Sequence, residues 1–227
     1  MAAVFDCYIQ TKQDLINAVR DFGIVPLFAN SVPGFSVEEH VAPIAWFGSG
    51  QDGVWEWKGP VIRESGCAYG KFFERKAAFI SAEWFPDFAN YRRDGYDFDA
   101  RYEDGLATAR EKALYELIDR HAPVLSKTAK RLGGYGKYGA KGFDADLMRL
   151  QAEGYLLISD FRYEQDRFGR TYGWGVAEYS TPEKLFGAPF ENAVYRRRPA
   201  ESRERLLAHL QSLLPGVPMR ELERFLR

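Results

Sequence analysis

One stretch of the sequence decides the fold, and it runs Leu147-Met148-Arg149-Leu150-Gln151-Ala152-Glu153-Gly154-Tyr155-Leu156-Leu157-Ile158. Its first part has the apolar spacing of a helix, Gly154 ends that helix, and the apolar residues that follow are typical of a strand. Two helical segments precede this stretch, and a glycine-containing turn and a second strand follow it. Helix, helix, helix, strand, turn and strand is the element order of a winged helix.

The sequence therefore predicts an α+β protein with a winged-helix domain over residues 105–187, made of a helix-turn-helix and a two-stranded wing. Ser126 and Asp144 are the expected N-caps of its second and third helices. Its expected elements are a first helix from Leu106 to about His121, a second at 127–132, a third between Asp144 and Gly154, strands at 155–161 and 172–179, and a wing at 162–170.

Two further regions are predicted on either side of this domain. Residues 1–104 are rich in aromatic residues and are expected to form an N-terminal domain with short antiparallel strands. Residues 188–227 are expected to form a C-terminal helical tail. The expected elements are a helix at 13–28, strands at 54–57, 68–73 and 77–81, a loop-rich segment at 86–105, and helices at 202–214 and 218–227.

Composition limits the class of protein. A hydrophobic fraction of 46% can bury a sizeable core, which argues against a disordered chain. A net charge of −1 argues against binding DNA by bulk attraction, so a nucleic-acid contact must rest on a local patch. The chain start lacks the pattern of a signal peptide, and no apolar run approaches the roughly 20 residues that cross a bilayer. We expect a cytoplasmic protein without a membrane partner.

The segment before the third helix is basic and rich in glycine. It holds no acid between Leu125 and Gly142, its glycines favour a pliable backbone, and Tyr135 and Tyr138 lie among them. Such a loop can follow a phosphate backbone, and its tyrosines can stack on bases, which favours double-stranded DNA as partner. The expected DNA contacts are Lys127, Lys130, Arg131, Lys137 and Lys141, with Arg149 of the third helix and Arg167 and Arg170 of the wing.

The charges of the third helix favour the opposite conclusion. Asp144, Asp146 and Glu153 outnumber Arg149, so the surface expected in the major groove is net negative. Acidic side chains can accept from cytosine but repel the phosphates on either side. The alternative is a winged helix that serves for packing or for contact with another protein.

A second candidate site lies in the aromatic middle of the chain. Trp84, Phe85, Tyr91 and Arg92 could line a pocket for a flat ligand or an unstacked base. The alternative is an irregular aromatic core in which arginine and aspartate side chains pair with one another. This alternative is favoured, because a single sequence does not reveal which groups converge.

Catalytic and metal-binding patterns are missing from the sequence. The acids between Asp94 and Asp104 lack the glycine and glutamate positions of a calcium-binding EF-hand loop. The three histidines and the two cysteines, Cys7 and Cys67, have no metal-ligand spacing. No cofactor is therefore expected, and no catalytic residue is assigned.

Several segments resemble the AlkZ-related group of bacterial winged-helix proteins. They are Glu83 to Gly95, Lys141-Gly142-Phe143-Asp144, Leu147-Met148-Arg149-Leu150-Gln151, Tyr172-Gly173-Trp174 and Tyr179-Ser180-Thr181-Pro182-Glu183. The resemblance covers roughly residues 50 to 190. It implies a winged-helix fold and a DNA-repair setting, since the better-known relatives are glycosylases that release alkylated or crosslinked purines.

The chain departs from those glycosylases at their catalytic motif. They use a Gln-x-Gln or Gln-x-Asp pair, and no such triplet occurs in this sequence. The leading hypothesis is therefore a non-enzymatic DNA-binding protein in a repair or regulatory setting. The alternatives are an enzyme acting on a base or nucleotide in the aromatic pocket, and a structural or partner-binding protein.

Overall fold

The computed structural model describes residues 8–48, 53–136, 138–168 and 171–227. In these ranges the protein is α+β, as predicted, with helices packed around two small antiparallel three-stranded sheets. Among the described residues, no helix has the length and apolar character needed to cross a membrane.

The first sheet belongs to an N-terminal unit. The unit contains α1 (Lys12–Phe22), β1 (Ile24–Pro26), α2 (Pro43–Phe47), α3 (Val54–Ser65), β2 (Ala68–Phe73) and β3 (Lys76–Ile80). In its sheet β1, β3 and β2 lie side by side in that order. Glu74 and Arg75 form the β2–β3 turn with left-handed φ angles of 49° and 61°. The predicted antiparallel pairing of β2 with β3 is confirmed.

The strand predicted at residues 54–57 is wrong, because these residues begin α3. The backbone N–H of Gly53 donates to Glu56 Oε2 at 3.0 Å, which caps the helix start. Val54, Trp57 and Val61 are buried at helical spacing. Tryptophan and valine favour strands by composition, but here the capping contact and the apolar period outweigh that preference.

The prediction of a loop-rich segment at 86–105 is also wrong. The segment forms α4 (Phe85–Arg93) and α5 (Phe98–Glu103). Phe85 and Phe88 lie on the buried face of α4. The side chain of Asp97 accepts from the backbone N–H of Ala100 at 2.8 Å and caps α5.

The second sheet belongs to a second unit. The unit contains α6 (Ala109–His121), β4 (Val124–Leu125), α7 (Ser126–Leu132), α8 (Phe143–Ala152), β5 (Leu157–Gln165) and β6 (Thr171–Ser180). In its sheet β4, β6 and β5 lie side by side in that order. Leu147, Leu150 and Gln151 share the buried face of α8, as predicted. The observed N-caps of α7 and α8 differ by one or two residues from those predicted, since Leu125 and Gly142 hold the positions expected for Ser126 and Asp144.

The two units repeat one architecture, although no repeat is recognisable in the sequence. Each has a helix, an outer strand, a shorter helix, a longer helix and an antiparallel strand pair, and in each sheet the last strand lies in the centre. Their packing is reciprocal, because α3 packs on β5 and α8 packs on β2. Tyr163 donates its hydroxyl to the Trp55 carbonyl at 3.1 Å, and the Lys71 N–H donates to Gln151 Oε1 at 3.3 Å.

The C-terminal helices pack against the N-terminal unit and are not a detached tail. They are α9 (Pro182–Phe186), α10 (Ala188–Val194), α11 (Pro199–Leu213) and α12 (Met219–Leu226). The buried Asp87 of α4 accepts from Ser202 Oγ at 2.7 Å and from Arg205 Nε at 2.9 Å. The ring of Phe225 stacks on Phe73 with centroids 4.5 Å apart. One apolar core therefore runs through all three predicted regions, and the domain boundaries at 104 and 187 stay predictions.

Candidate nucleic-acid interface

A groove of about 410 Å³ lies between the glycine-rich loop and the start of α8. It is open to solvent, and two lysines and the first turn of α8 border it. The lining residues are Lys130, Tyr135, Gly136, Ala140, Lys141, Gly142, Phe143, Asp144 and Ala145. The first turn of a helix presents backbone N–H groups without partners in the helix, and these favour a negatively charged ligand.

Backbone hydrogen bonds hold the described part of the glycine-rich loop. Ala140 N–H donates to the Gly134 carbonyl at 3.0 Å, and Tyr135 N–H donates to the Lys130 carbonyl at 3.0 Å. A Cβ atom at Gly139 would overlap the Gly134 carbonyl oxygen, so glycine is required for this close approach. At position 139 glycine therefore serves a close backbone approach, and the pliability predicted for the loop stays a prediction.

The described basic residues of the predicted site are all exposed. They are Lys127, Lys130, Arg131, Lys141, Arg149 and Arg167. Lys130 Nζ lies 3.7 Å from an Asp144 carboxylate oxygen and 5.5 Å from the Phe143 ring centroid. Lys137 and Arg170 lie outside the described residues. The structure therefore brings Lys130 and Lys141 to one groove, with Arg149 further along α8.

The two tyrosines of the loop have different environments. The Tyr135 ring packs edge-on against Phe143 with centroids 5.0 Å apart, and burial raises the pKa of its hydroxyl. Tyr138 is 93% exposed. Of the two rings expected to stack on bases, Tyr135 therefore has a packing role and Tyr138 faces solvent.

The predicted net negative surface of α8 is wrong, because Asp146 is buried and Glu153 is only partly exposed and paired with an arginine. The Asp146 side chain is completely buried and accepts from Arg110 Nε at 2.5 Å and Nη2 at 2.9 Å. Glu153 accepts from Arg101 Nη2 at 2.8 Å, and burial raises the pKa of Glu153. Only Asp144 is exposed, and it lies beside Lys130.

Arg110 is a basic residue of this surface that the sequence analysis missed. Its guanidinium is half exposed and lies about 3.2 Å from the position that a Cβ atom of Gly142 would take, at the N-terminus of α8. The bond to Asp146 raises the pKa of Arg110 and fixes its direction. Thirty-six residues separate the two partners, so no local pattern indicates the pair.

Arg149 is anchored in the same way. Its Nη1 lies 2.8 Å from the buried Glu111 carboxylate, and its Nη2 lies 3.6 Å from Asp146. The two buried acids therefore hold two half-exposed guanidinium groups on the surface of α6 and α8. A guanidinium held by buried acids loses less side-chain entropy when it binds an anion.

The turn between β5 and β6 carries another exposed cation. Strands β5 and β6 extend to Gln165 and from Thr171, so this turn is shorter than the predicted wing at 162–170. Arg167 is exposed, and its guanidinium carbon lies 4.7 Å from the Phe168 ring centroid. Asp166 Oδ1 accepts from the Phe168 N–H at 2.8 Å, which restrains residues 166–168.

The side chains of the predicted aromatic pocket have packing partners. Phe85 is fully buried among other phenylalanines, and the Trp84 ring stacks on His209 with centroids 3.9 Å apart. Arg92 donates to the Phe72 carbonyl at 2.8 Å, and Tyr91 is partly buried. A base-binding pocket at these residues stays a prediction, and their contacts favour the alternative of an aromatic core.

Potential metal ligands are scattered. Within the described ranges, no three histidine, cysteine, aspartate or glutamate side chains converge to hold an ion. The acidic residues between 94 and 104 are instead spread over the end of α4, a short connection and α5.

Comparison with known proteins extends the resemblance seen in the sequence. The chain matches the family model described as AlkZ related over residues 9–227, which is almost its whole length. No curated protein and no solved structure matches it significantly. On the strength of the family match, the chain belongs to the AlkZ-related family.

Proposed function

We propose that α6 to β6 form a winged helix and that the protein binds double-stranded DNA with the exposed face of α8, the glycine-rich loop and the β5–β6 turn. The element order of this unit is that of the fold, with α7 and α8 as its helix-turn-helix and the β5–β6 turn as its wing. Membership of a family related to a DNA-repair glycosylase group supports the same partner.

One observation carries the proposal: an acid of α8 turns inward while the basic residues around the helix are exposed. Asp146 is buried against Arg110, whereas Lys130, Lys141 and Arg149 are exposed near the helix. This arrangement weakens the main objection to DNA binding, which is a net negative third helix. Lysine and arginine contacts to phosphates release counterions, so a local basic surface suffices on a chain of net charge −1.

The second unit is the better candidate for this contact than the first. The helix α3 holds the place in the first unit that α8 holds in the second, but β5 packs against it. Lys58 of α3 lies between the rings of Trp55 and Phe161, at 4.4 and 4.3 Å. The corresponding contact of α8 with β2 includes the hydrogen bond to Gln151, near the C-terminal end of α8. The first turn of α8 borders the open groove.

We propose a binding role without catalysis, in a repair or regulatory setting. The glutamine-containing triplet of the glycosylases is missing from the sequence. A role in which the protein locates or holds DNA requires only the phosphate and base contacts described above.

Fluorescence anisotropy on a labelled duplex tests the proposal. The protein is expected to bind at low salt, and its affinity should fall linearly with the logarithm of salt concentration. The double variant Lys130→Glu/Lys141→Glu should weaken binding at least tenfold, since each reversal replaces an attraction to phosphate by a repulsion, together about 1.4 kcal/mol or more.

Arg220→Glu/Arg224→Glu is the matched control, because it also reverses two exposed positive charges, both on α12. It should change the affinity much less than Lys130→Glu/Lys141→Glu. Absence of binding at low salt, or equal loss in the two double variants, would overturn the proposal.

A further inference from the structure

Two large aromatic side chains project into solvent from the proposed DNA-binding unit. Tyr138 is 93% exposed in the glycine-rich loop, and Phe168 is 67% exposed in the β5–β6 turn. Most aromatic residues of this chain are packed in the core. An exposed aromatic ring offers a flat face on which a nucleic-acid base can stack.

Hydrogen bonds of the backbone lie beside both rings. Gly139 N–H, next to Tyr138, donates to the Gly136 carbonyl at 3.3 Å. Phe168 N–H donates to Asp166 Oδ1 at 2.8 Å, just after β5. Each of these bonds restrains the backbone at or next to a ring.

A cation lies close to one of the rings, since the Arg167 guanidinium carbon lies 4.7 Å from the Phe168 ring centroid. Lys141, which follows Tyr138 by three residues in the sequence, is exposed and lines the groove. An aromatic ring beside a cation suits a nucleotide, because the ring can stack on the base while the cation binds the phosphate.

We infer that Tyr138 and Phe168 stack on unpaired bases, and that the preferred partner is duplex DNA containing unpaired nucleotides. This inference rests on the proposed function. In an intact duplex neighbouring base pairs cover the base faces, so an inserted ring must first separate a base step. Where the bases are already unpaired that cost is absent, and stacking adds directly to the affinity.

Anisotropy with two duplexes of equal length, one fully paired and one with a central unpaired bubble, tests the inference. The protein is expected to bind the bubble duplex about tenfold more tightly, within the range that stacking of one or two bases supplies. Tyr138→Ala/Phe168→Ala should remove this difference, because it should weaken binding to the bubble duplex more than binding to the paired duplex. Phe168→Trp should preserve it.

Leu106→Ala is the control. It removes an apolar side chain that is 52% exposed and that lies outside both the glycine-rich loop and the β5–β6 turn. It should leave the tenfold difference intact. Equal affinity for the two duplexes, or an equal loss on both in the double variant, would overturn the stacking role while DNA binding itself stands. Failure to bind either duplex at low salt would instead overturn the proposed function, and the inference with it.

Discussion

The buried Asp146 of α8 accepts from Arg110 of α6 and lies 3.6 Å from Arg149 of its own helix, so the loss of its charge affects both contacts. Asp146→Asn keeps the shape of the side chain but removes the negative charge that both guanidinium groups face. We expect the free energy of unfolding to fall by about 1 to 3 kcal/mol, the usual size of a charge-assisted hydrogen bond in a partly exposed pair. Urea denaturation followed by circular dichroism measures the change.

Asp144→Asn provides the comparison on the same helix. The Asp144 side chain is 88% exposed, so its substitution should change the free energy of unfolding by less than about 0.5 kcal/mol. Equal effects of the two substitutions would contradict the inward position of Asp146.

Lys58 lies in the contact between the two units, and burial lowers its pKa from 10.5 to about 8. A lysine with a lowered pKa destabilises the fold while it is charged. Below about pH 8 the folded protein bears the full free-energy cost of the buried charge. Between about pH 8 and 10.5 the unfolded chain binds more protons than the folded protein, so the free energy of unfolding rises with pH. Lys58→Met should therefore stabilise the protein at pH 7, by on the order of 2 kcal/mol.

The advantage of Lys58→Met over the wild type should shrink between pH 7 and pH 10, as measured by urea denaturation at both values. Lys71→Met makes the same change at an exposed position on β2. It should shift the free energy of unfolding by less than about 0.5 kcal/mol at either pH. A constant advantage of Lys58→Met at both pH values would show that lost charge is not its cause.

The glycine-rich loop offers a matched pair of substitutions at the scale of one element. A Cβ atom at Gly139 would overlap the Gly134 carbonyl, whereas one at Gly136 would meet nothing within 4 Å. Gly139→Ala must therefore displace the backbone that borders the groove. We expect it to weaken duplex binding at least fivefold, about 1 kcal/mol, and Gly136→Ala to change binding less than twofold. Anisotropy titrations measure both, and equal affinities would contradict a fixed loop.

The elements that sequence patterns predict well are those held by local contacts. The burial of Leu147, Leu150 and Gln151 on α8 follows from helical spacing. The β2–β3 strand pair follows from apolar segments separated by a charged turn. The strand prediction at residues 54–57 is wrong because this segment has both a strand-favouring composition and a helical apolar period. The hydrogen bond from the Gly53 N–H to Glu56 caps a helix there and favours the helical alternative.

The charge of the candidate site could not be predicted from local sequence. The sequence gives the number of acids on α8 but not their direction, and direction depends on Arg110 and Arg101 in distant segments. The same limit applies to the aromatic segment, where Trp84 meets His209 from the far end of the chain. Long-range contacts decide both surfaces, so only a three-dimensional structure reveals them.

At the scale of the whole molecule, the packing of the C-terminal helices on the N-terminal unit bears on whether the protein unfolds cooperatively. Phe225 is fully buried and contacts Phe73 and Phe35 of the N-terminal unit. Phe225→Ala leaves a cavity there, and we expect it to lower the free energy of unfolding by about 3 to 5 kcal/mol. Met219→Ala, at an exposed position on the same helix, should cost less than about 0.5 kcal/mol.

Hydrogen exchange of backbone amides shows how far this loss spreads. Since β2 packs on α8 and α3 packs on β5, the units share their interior, and amides of α8 should lose protection in Phe225→Ala together with those of α4. If α4 loses protection while α8 keeps its wild-type rates, the units unfold separately along the predicted boundaries. A parallel loss would mean that the proposed DNA-binding surface on α8 depends for its stability on the C-terminal helix α12.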